Sequence, residues 1–285
     1  MKGDFATNEL LLNITPITNL MKRRSFVKTT LVTGTAAVIM PSMSIAAKSP
    51  AAKKNAEFYE IRTYTLKDEN QQKLVENYFE TAAIPALNRI GVKNIGVFTE
   101  LNPTAQTKLY AIIPYKSIED FVNVAGKLEK DAVYKTAGGG YLMAPSSAPA
   151  YERIESSLLK AFAHMPAMEV PAKKARIFEL RQYQSASESA GKKKIEMFND
   201  KGEIDIFKRL GFKPVFFGET VIGELMPNLT YMVTFDDMEA HGKHWQSFGG
   251  DAEWKVISKV PEYADSLLVS KITATFIKPT AFSQI

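Results

Sequence analysis

The sequence predicts an α+β protein in which two tandem βαββαβ repeats pair their sheets into one barrel within a single chain. The first observation is an internal duplication: residues 58–64, Phe-Tyr-Glu-Ile-Arg-Thr-Tyr, return as residues 177–183, Ile-Phe-Glu-Leu-Arg-Gln-Tyr. The segments after each copy then overlay at a nearly constant offset of about 120 residues. Each copy also follows the order strand, helix, strand, strand, helix, strand, which is the ferredoxin-like order.

The duplication divides the chain into a leader, a short mature N-terminus, two repeats and a linker. The linker contains Pro166 and Pro171 and ends in two lysines, a composition typical of a connecting segment. The predicted ranges are residues 1–46 for a signal peptide, 47–56 for the mature N-terminus, 57–164 for the first repeat, 165–174 for the linker and 175–285 for the second repeat.

The first strand of each repeat alternates in polarity, and a helix follows it. In repeat one, the odd-numbered residues from Tyr59 to Thr63 point to one face of the sheet, and the even-numbered residues from Glu60 to Tyr64 point to the other. The helices that follow are predicted to end at Gly91 and Gly211, because a left-handed C-cap favours glycine.

The remaining elements follow in the same order in both repeats. Ser117 and Asp237 are suitable N-caps for the second helices. The run Gly138-Gly139-Gly140 has no counterpart in repeat two and predicts a loop. The other strands are predicted near residues 95–100, 109–115 and 151–162, and near residues 215–220, 229–235 and 268–276.

One sheet with two helices on a single face would leave its other face in water, so the two sheets are expected to cover each other and enclose a barrel. The more apolar residues of the first strand are expected to meet the helices. The set carrying Glu60, Arg62 and Tyr64 is then expected to face the barrel interior.

The motif Tyr-Glu-Ile-Arg-Thr-Tyr at 59–64, the Arg-x-Gly helix ends and the Asp-Ala-x-Trp-Lys segment at 251–255 resemble the NIPSNAP family. Its members are similar to the dimeric α/β barrel proteins, and the resemblance spans both repeats. It implies the barrel fold but no particular reaction, because the related superfamily contains cofactorless monooxygenases, haem-handling enzymes and simple binding proteins. Repeat one departs from the pattern at Tyr134, where repeat two has Trp254.

Polar side chains of the two first strands form the candidate ligand pocket. Residues two apart on a strand lie roughly 6.6 Å apart on one face, close enough for a carboxylate and a guanidinium to share hydrogen bonds. They either form a buried structural network, whose disruption costs about 3 to 5 kcal/mol, or hold an anionic or carbonyl-bearing ligand. The candidates are Glu60, Arg62, Tyr64, Glu179, Arg181 and Tyr183.

His241 and His244 are weaker candidates, three residues apart on the predicted second helix of repeat two. Two histidines without a third ligand at suitable spacing do not define a metal site. We therefore predict no metal and no cofactor, with haem as the alternative.

The leader resembles an export signal. The basic segment at residues 22–28 precedes an uncharged apolar run at 29–40 and the small residues Ser44 and Ala46. Arg23 and Arg24 resemble a bacterial twin-arginine signal, with the general secretory route as the alternative. Translation is predicted to begin at Met21. The apolar run is too short for a permanent membrane anchor, so a periplasmic or extracellular protein is expected.

Composition limits the remaining function classes. The chain has no cysteine, so it offers neither a thiolate nucleophile nor a zinc–thiolate site. Its formal charge of +5 comes largely from the leader, which disfavours a nucleic-acid partner.

Three hypotheses therefore remain for function, and no catalytic residue is assigned. The first is an exported protein that binds or transforms a small organic ligand between the two sheets. The second is a cofactorless monooxygenase-like or haem-handling enzyme. The third is a non-enzymatic protein-interaction module, for which oligomerisation would be expected.

Overall fold

The structure is a computed structural model that describes residues 55–103 and 106–285. The predicted leader, including Arg23 and Arg24, lies outside the described residues. No helix in the described part is long and apolar enough to cross a membrane.

Each repeat contributes four strands and several helices. Repeat one contains β1 (Phe58–Leu66), α1 (Glu69–Tyr78), a π-helical turn (Phe79–Ala83), α2 (Ile84–Arg89), β2 (Gly96–Glu100), β3 (Thr107–Tyr115), α3 (Ile118–Leu128), α4 (Ala132–Ala137), α5 (Gly139–Leu142) and β4 (Arg153–Ala161). Repeat two contains β5 (Ile177–Gln184), α6 (Glu188–Asn199), α7 (Glu203–Arg209), β6 (Lys213–Ile222), β7 (Asn228–Phe235), α8 (Met238–Gly250), α9 (Ala252–Ser258), a 3₁₀ turn (Pro261–Tyr263), α10 (Asp265–Leu268) and β8 (Lys271–Pro279).

The strands form one closed antiparallel barrel in the order β1-β3-β2-β8-β5-β7-β6-β4. Two seams join the repeats: β2 pairs with β8 from Phe98↔Pro279 to Glu100↔Ile277, and β4 pairs with β6 from Leu158↔Ile222 onwards. Closure leaves no free edge strand in the sheet. The predicted pairing of two ferredoxin-like units into an intrachain barrel is therefore confirmed.

The predicted assignment of strand faces is wrong. Cross-strand partners share a face, and Arg62 pairs with Ala111 whereas Ile61 pairs with Ile112. Ala111 belongs to the apolar layer under the helices, and Ile112 belongs to the layer inside the barrel. Glu60, Arg62 and Tyr64 therefore face the helices.

The barrel interior takes the more apolar set because it is enclosed by strands on all sides. Tyr59, Phe98, Phe178 and Phe216 are all fully or almost fully buried there, and the rings of Phe98 and Phe178 lie 5.0 Å apart across the repeat boundary. Both faces of β1 are covered, so polarity alternation alone could not indicate which face is inside.

The helix ends follow the sequence signals. Gly91 and Gly211 adopt φ values of +91° and +86° at the predicted C-caps, and Ser117 and Asp237 cap α3 and α8 with their side chains. The repeated Arg-x-Gly and Asp-Ala motifs also meet: Arg89 pairs with Asp131, the N-cap of α4. Arg209 pairs in the same way with Asp251, the N-cap of α9.

Two local predictions are wrong. The last strand begins at Lys271 rather than near Leu268, because Asp265–Leu268 form the helical turn α10. The triglycine run leads into α5 rather than a loop, and the ring of Tyr141 in α5 stacks on Tyr78 at 3.8 Å. An aromatic contact thus orders a segment whose composition favours a loop.

Repeat two contains a buried ion cluster where repeat one is apolar. The Lys194 side chain is 2% exposed and lies 3.1 Å from Asp265 and 3.9 Å from Glu203. The equivalent residues in repeat one are Val75 and Ala83. Burial raises the pKa of Glu203 to about 7, and the charge of Lys194 only partly opposes that rise.

We predict that Glu203→Gln changes how stability depends on pH. A carboxyl whose folded pKa lies above its ordinary value of 4.5 takes up its proton more readily in the folded protein, so stability falls as pH rises from about 4.5 to about 7. In the glutamine variant, the decrease in unfolding free energy between these two pH values should be smaller by up to ~3 kcal/mol. Urea unfolding across this pH range measures it, with the exposed Glu239→Gln as control. An unchanged pH slope would contradict the prediction.

Candidate functional site

The acid and arginine of repeat one form a bidentate pair beneath the helices. Arg62 Nε donates to Glu60 Oε1 at 2.6 Å and Nη2 donates to Oε2 at 3.2 Å. The Glu60 carboxylate also accepts from Tyr115 Oη at 3.0 Å and from Ser156 Oγ at 3.0 Å. Arg62 Nη1 makes no hydrogen bond of ordinary geometry to the residues that the structure describes, although the Tyr64 hydroxyl lies near enough to the guanidinium to interact with it. The carboxylate is thus satisfied, and one corner of the guanidinium is available.

The equivalent pair in repeat two is enclosed. Arg181 Nη1 donates to Glu179 Oε1 at 2.7 Å, and Nη2 donates to Tyr183 Oη at 3.0 Å. Trp245 covers the pair: its ring lies 4.4 Å from the Arg181 guanidinium carbon, and its Nε1 donates to Glu179 Oε2 at 3.1 Å. The side chains of Arg62 and Arg181 are 29% and 17% exposed, respectively.

A cavity of about 600 Å³ lies between the sheet and the helices of repeat one. Arg62 and Tyr115 form its floor on the sheet. Ala125 of α3 lines one wall, and Tyr78 and Tyr134 line another. Met143, which follows α5 and is 82% exposed, stands at its rim. The volume lies within the range of small-molecule sites, and the lining is mostly apolar with a few polar groups.

The cavity exists because repeat one carries smaller side chains at several positions that repeat two fills. The N-caps Ser117 and Asp237 set the register of the equivalent helices. In that register Ala125 corresponds to Trp245 and Leu128 to Phe248. Gly91 and Gly211, which end α2 and α7, likewise align Leu87 with Phe207. In repeat two the rings of Phe207 and Trp245 lie 5.6 Å apart, and those of Trp245 and Phe248 lie 5.8 Å apart.

The guanidinium and the phenols that line the cavity keep their protons at neutral pH. Burial raises the pKa of Tyr78, and the hydrogen bond from or to Tyr134 raises it further. Burial also raises the pKa of Tyr115, with a further contribution from the Glu60 charge. For Arg62, burial lowers the guanidinium pKa, but Glu60 outweighs that effect and holds it above its ordinary value. The phenols thus stay protonated and the guanidinium stays charged.

Tyr64 and Tyr183 have different partners. Tyr64 Oη accepts from Tyr141 at 3.3 Å, and Tyr78 Oη lies 2.8 Å from Tyr134 Oη. These four tyrosine rings pack together beside the cavity of repeat one. Tyr183 Oη accepts from Arg181 at 3.0 Å and lies 3.3 Å from Tyr231 Oη.

The two histidines lie together but do not converge on a common point. His241 Nε2 lies 3.1 Å from Glu179 Oε2, and His244 Nδ1 lies 2.6 Å from the carbonyl oxygen of Ala240. Among residues 55–103 and 106–285, no cluster of three or more His, Asp or Glu side chains could hold a metal ion.

The space between the two sheets is mostly occupied by side chains, and the predicted placement of the six candidate residues in it is wrong. The barrel retains a cavity of about 220 Å³ at one end, lined by polar residues such as Thr63, Gln182 and Thr275. The six candidate residues do not line it. They are divided into two separate groups on the helix side, one in each repeat.

Sequence reasoning missed the residues that distinguish the two groups. Ala125, Leu87 and Leu128 are ordinary apolar residues in isolation. Comparing the repeats position by position would have revealed them, because each corresponds to a larger aromatic residue in repeat two.

Solved structures similar to the described fold include two named as candidate monooxygenases. The one from Fusobacterium nucleatum has 10% sequence identity and a TM-score of 0.53, and the match covers 79% of this chain and 93% of that one. The one from Lactobacillus acidophilus has 9% identity and a TM-score of 0.54, with 79% and 94% covered. At this identity the likeness shows the fold alone.

A NIPSNAP family protein from Agrobacterium tumefaciens has 18% identity and a TM-score of 0.34, and the match covers 41% of this chain and 97% of that one. No curated protein matches the chain significantly in sequence. The sequence profile described as NIPSNAP matches the chain twice, over residues 59–165 and 178–284. Because these two matches span most of its length, the chain belongs to the NIPSNAP family.

Proposed function

We propose that this NIPSNAP protein binds a small, largely apolar organic molecule in the cavity of repeat one, with a hydrogen-bond acceptor of that molecule on Arg62. The observation that carries the proposal is the contrast between the repeats. Both keep the buried acid–arginine pair, but only in repeat two does a tryptophan of the chain cover the arginine. In repeat one the same position opens into about 600 Å³.

The chemistry of the cavity favours recognition of an acceptor group. Arg62 offers Nη1, and a charged guanidinium hydrogen-bonds well to carboxylate or carbonyl oxygens. Tyr78 and Tyr115 are neutral phenols and therefore weak bases. Because Tyr115 already donates its proton to Glu60, Arg62 is the donor that the cavity floor offers, and neither floor residue is suited to proton abstraction. This supports binding in preference to the monooxygenase-like alternative.

The export signal predicted within residues 1–46 supports placing this activity outside the cytoplasm. Arg23→Lys with Arg24→Lys should leave an uncleaved precursor in the cytoplasm if the twin-arginine route is used. Cell fractionation and N-terminal sequencing measure this outcome. Continued export of the double variant would favour the general secretory route, and an uncleaved wild-type protein would contradict export.

We predict that Ala125→Trp closes the cavity by supplying the side chain present in repeat two. Titration with the fluorescent aromatic anion anilinonaphthalene sulfonate should show affinity reduced by about tenfold or more, without loss of thermal stability. Val122→Trp is the matched control, because Val122 is 67% exposed on the same helix and does not line the cavity. Equal probe binding by the wild type and both variants would contradict the proposed site.

A charge-neutral double substitution tests the role of Arg62. Glu60→Gln combined with Arg62→Met should lower affinity for the same anion by about tenfold, because the donor is removed. Folding should persist, since no single buried charge is left unpaired. Glu179→Gln with Arg181→Met is the matched control in repeat two and should leave binding unchanged. If the control weakened binding as much as the first pair, Arg62 would not be the anchor.

A further inference from the structure

We infer that Trp245 is an internal stand-in for the ligand, so the cavity of repeat one takes a flat aromatic acid whose ring lies over Arg62 where the indole lies over Arg181. This inference rests on the proposed function and specifies the chemical class of its ligand. It also predicts that removing the Trp245 side chain opens a second, smaller site in repeat two, since Phe207 and Phe248 would still pack beside it.

The first support for the inference is the position of the Trp245 indole over the acid–arginine pair of repeat two. Trp245 contacts both members of the repeated pair, its ring 4.4 Å from the Arg181 guanidinium carbon and its Nε1 3.1 Å from Glu179. A guanidinium stacked on an aromatic face is a favourable contact. Ala125, the counterpart of Trp245, is exposed and lines the cavity, so the space of an indole is open there.

The rings around the indole supply the second argument. Phe207 and Phe212 meet Trp245 edge-on, with interplanar angles of 87° and 82°. Repeat one keeps a flat aromatic wall of its own, since Tyr78 and Tyr141 stack at an interplanar angle of 11° beside the cavity. Arg62 as floor and this tyrosine wall suit a flat ring system better than a globular aliphatic group.

The polar contacts differ between the repeats and set the polarity of the ligand. In repeat two Glu179 Oε2 accepts the indole N–H. In repeat one the corresponding Glu60 Oε2 already accepts from Tyr115, whereas the equivalent of Tyr115 is Phe235. A ligand in repeat one therefore does not have to donate a hydrogen bond to Glu60. It does have to accept one from Arg62 Nη1, and the carboxylate of an aromatic acid is suited to that role.

The first arm of the test compares three probes on the wild-type protein by titration calorimetry. Naphthoate should bind once per chain and about tenfold more tightly than cyclohexanecarboxylate, which has the acid but no flat ring. It should also bind about tenfold more tightly than indole, which has the ring but no acceptor. Equal affinity for the aromatic and saturated acids would overturn the inference about the ring.

The second arm opens the second site. Trp245→Ala should create an indole-shaped space above Arg181. Glu179 Oε2 would lose the indole N–H of Trp245 and keep its contact with His241 Nε2, so it could accept again from an added indole, which should bind in repeat two. The double variant Ala125→Trp with Trp245→Ala, in which repeat one is blocked, should retain that indole site and lose the naphthoate site.

The thermal midpoint provides a readout if Trp245→Ala is too unstable to titrate. Removal of a large packed aromatic side chain destabilises the fold. Saturating indole should raise the midpoint of the Ala125→Trp, Trp245→Ala double variant but not that of Ala125→Trp alone, in which both sites are closed. If indole gives no rise and no binding in the variant, Trp245 is a packing residue and the inference fails.

The two arms separate this inference from the proposed function. If anilinonaphthalene sulfonate binds the wild type and Ala125→Trp blocks it, while naphthoate shows no advantage over the saturated acid, the pocket stands and the aromatic class fails. If no probe binds the wild type, the proposed function fails, and indole binding by Trp245→Ala would then show only that repeat two can be opened.

Discussion

Closure of the barrel is the constraint on which the rest of the structure depends. Two seams, β2 with β8 and β4 with β6, join the repeats and enclose an interior with no free strand edge. Such an interior favours apolar side chains, because a charge there would have no water to solvate it. The aromatic residues of β1 and β5 occupy it, and strand alternation then places the acid, arginine and second tyrosine of each motif beneath the helices.

The buried charges must be paired once they lie there. Glu60 with Arg62, and Glu179 with Arg181, are hydrogen-bonded within their own strands at 2.6 and 2.7 Å. The pair needs no partner from the other repeat, so each repeat could change the surface above it independently. Repeat two has a tryptophan, a set of phenylalanines and a buried lysine cluster at these positions, whereas repeat one has smaller residues and an opening. The same inherited pair thus serves packing in one half and, we propose, recognition in the other.

Much of the fold could be predicted from local patterns. The duplication, the glycine C-caps and the Ser or Asp N-caps depend on neighbours in sequence, so the printed chain contains what is needed to find them. The error at the last strand came from a short helical turn that competes with strand alternation at residues 265–268. The error at the triglycine run came from an aromatic stack between Tyr141 and Tyr78, a contact over more than sixty positions of chain that composition cannot reveal.

The sequence by itself determined the two repeats, their βαββαβ order, the family and the identity of the paired acid and arginine, because these follow from periodicity and repeated motifs. Only the tertiary structure decided which face of each first strand lies inside. Both faces are buried, and alternation shows which residues share a face but not which face is the inner one. It also showed that Ala125 lines an open cavity, whereas its counterpart Trp245 fills the equivalent space in repeat two. An alanine in a sequence gives no indication of the space beside it.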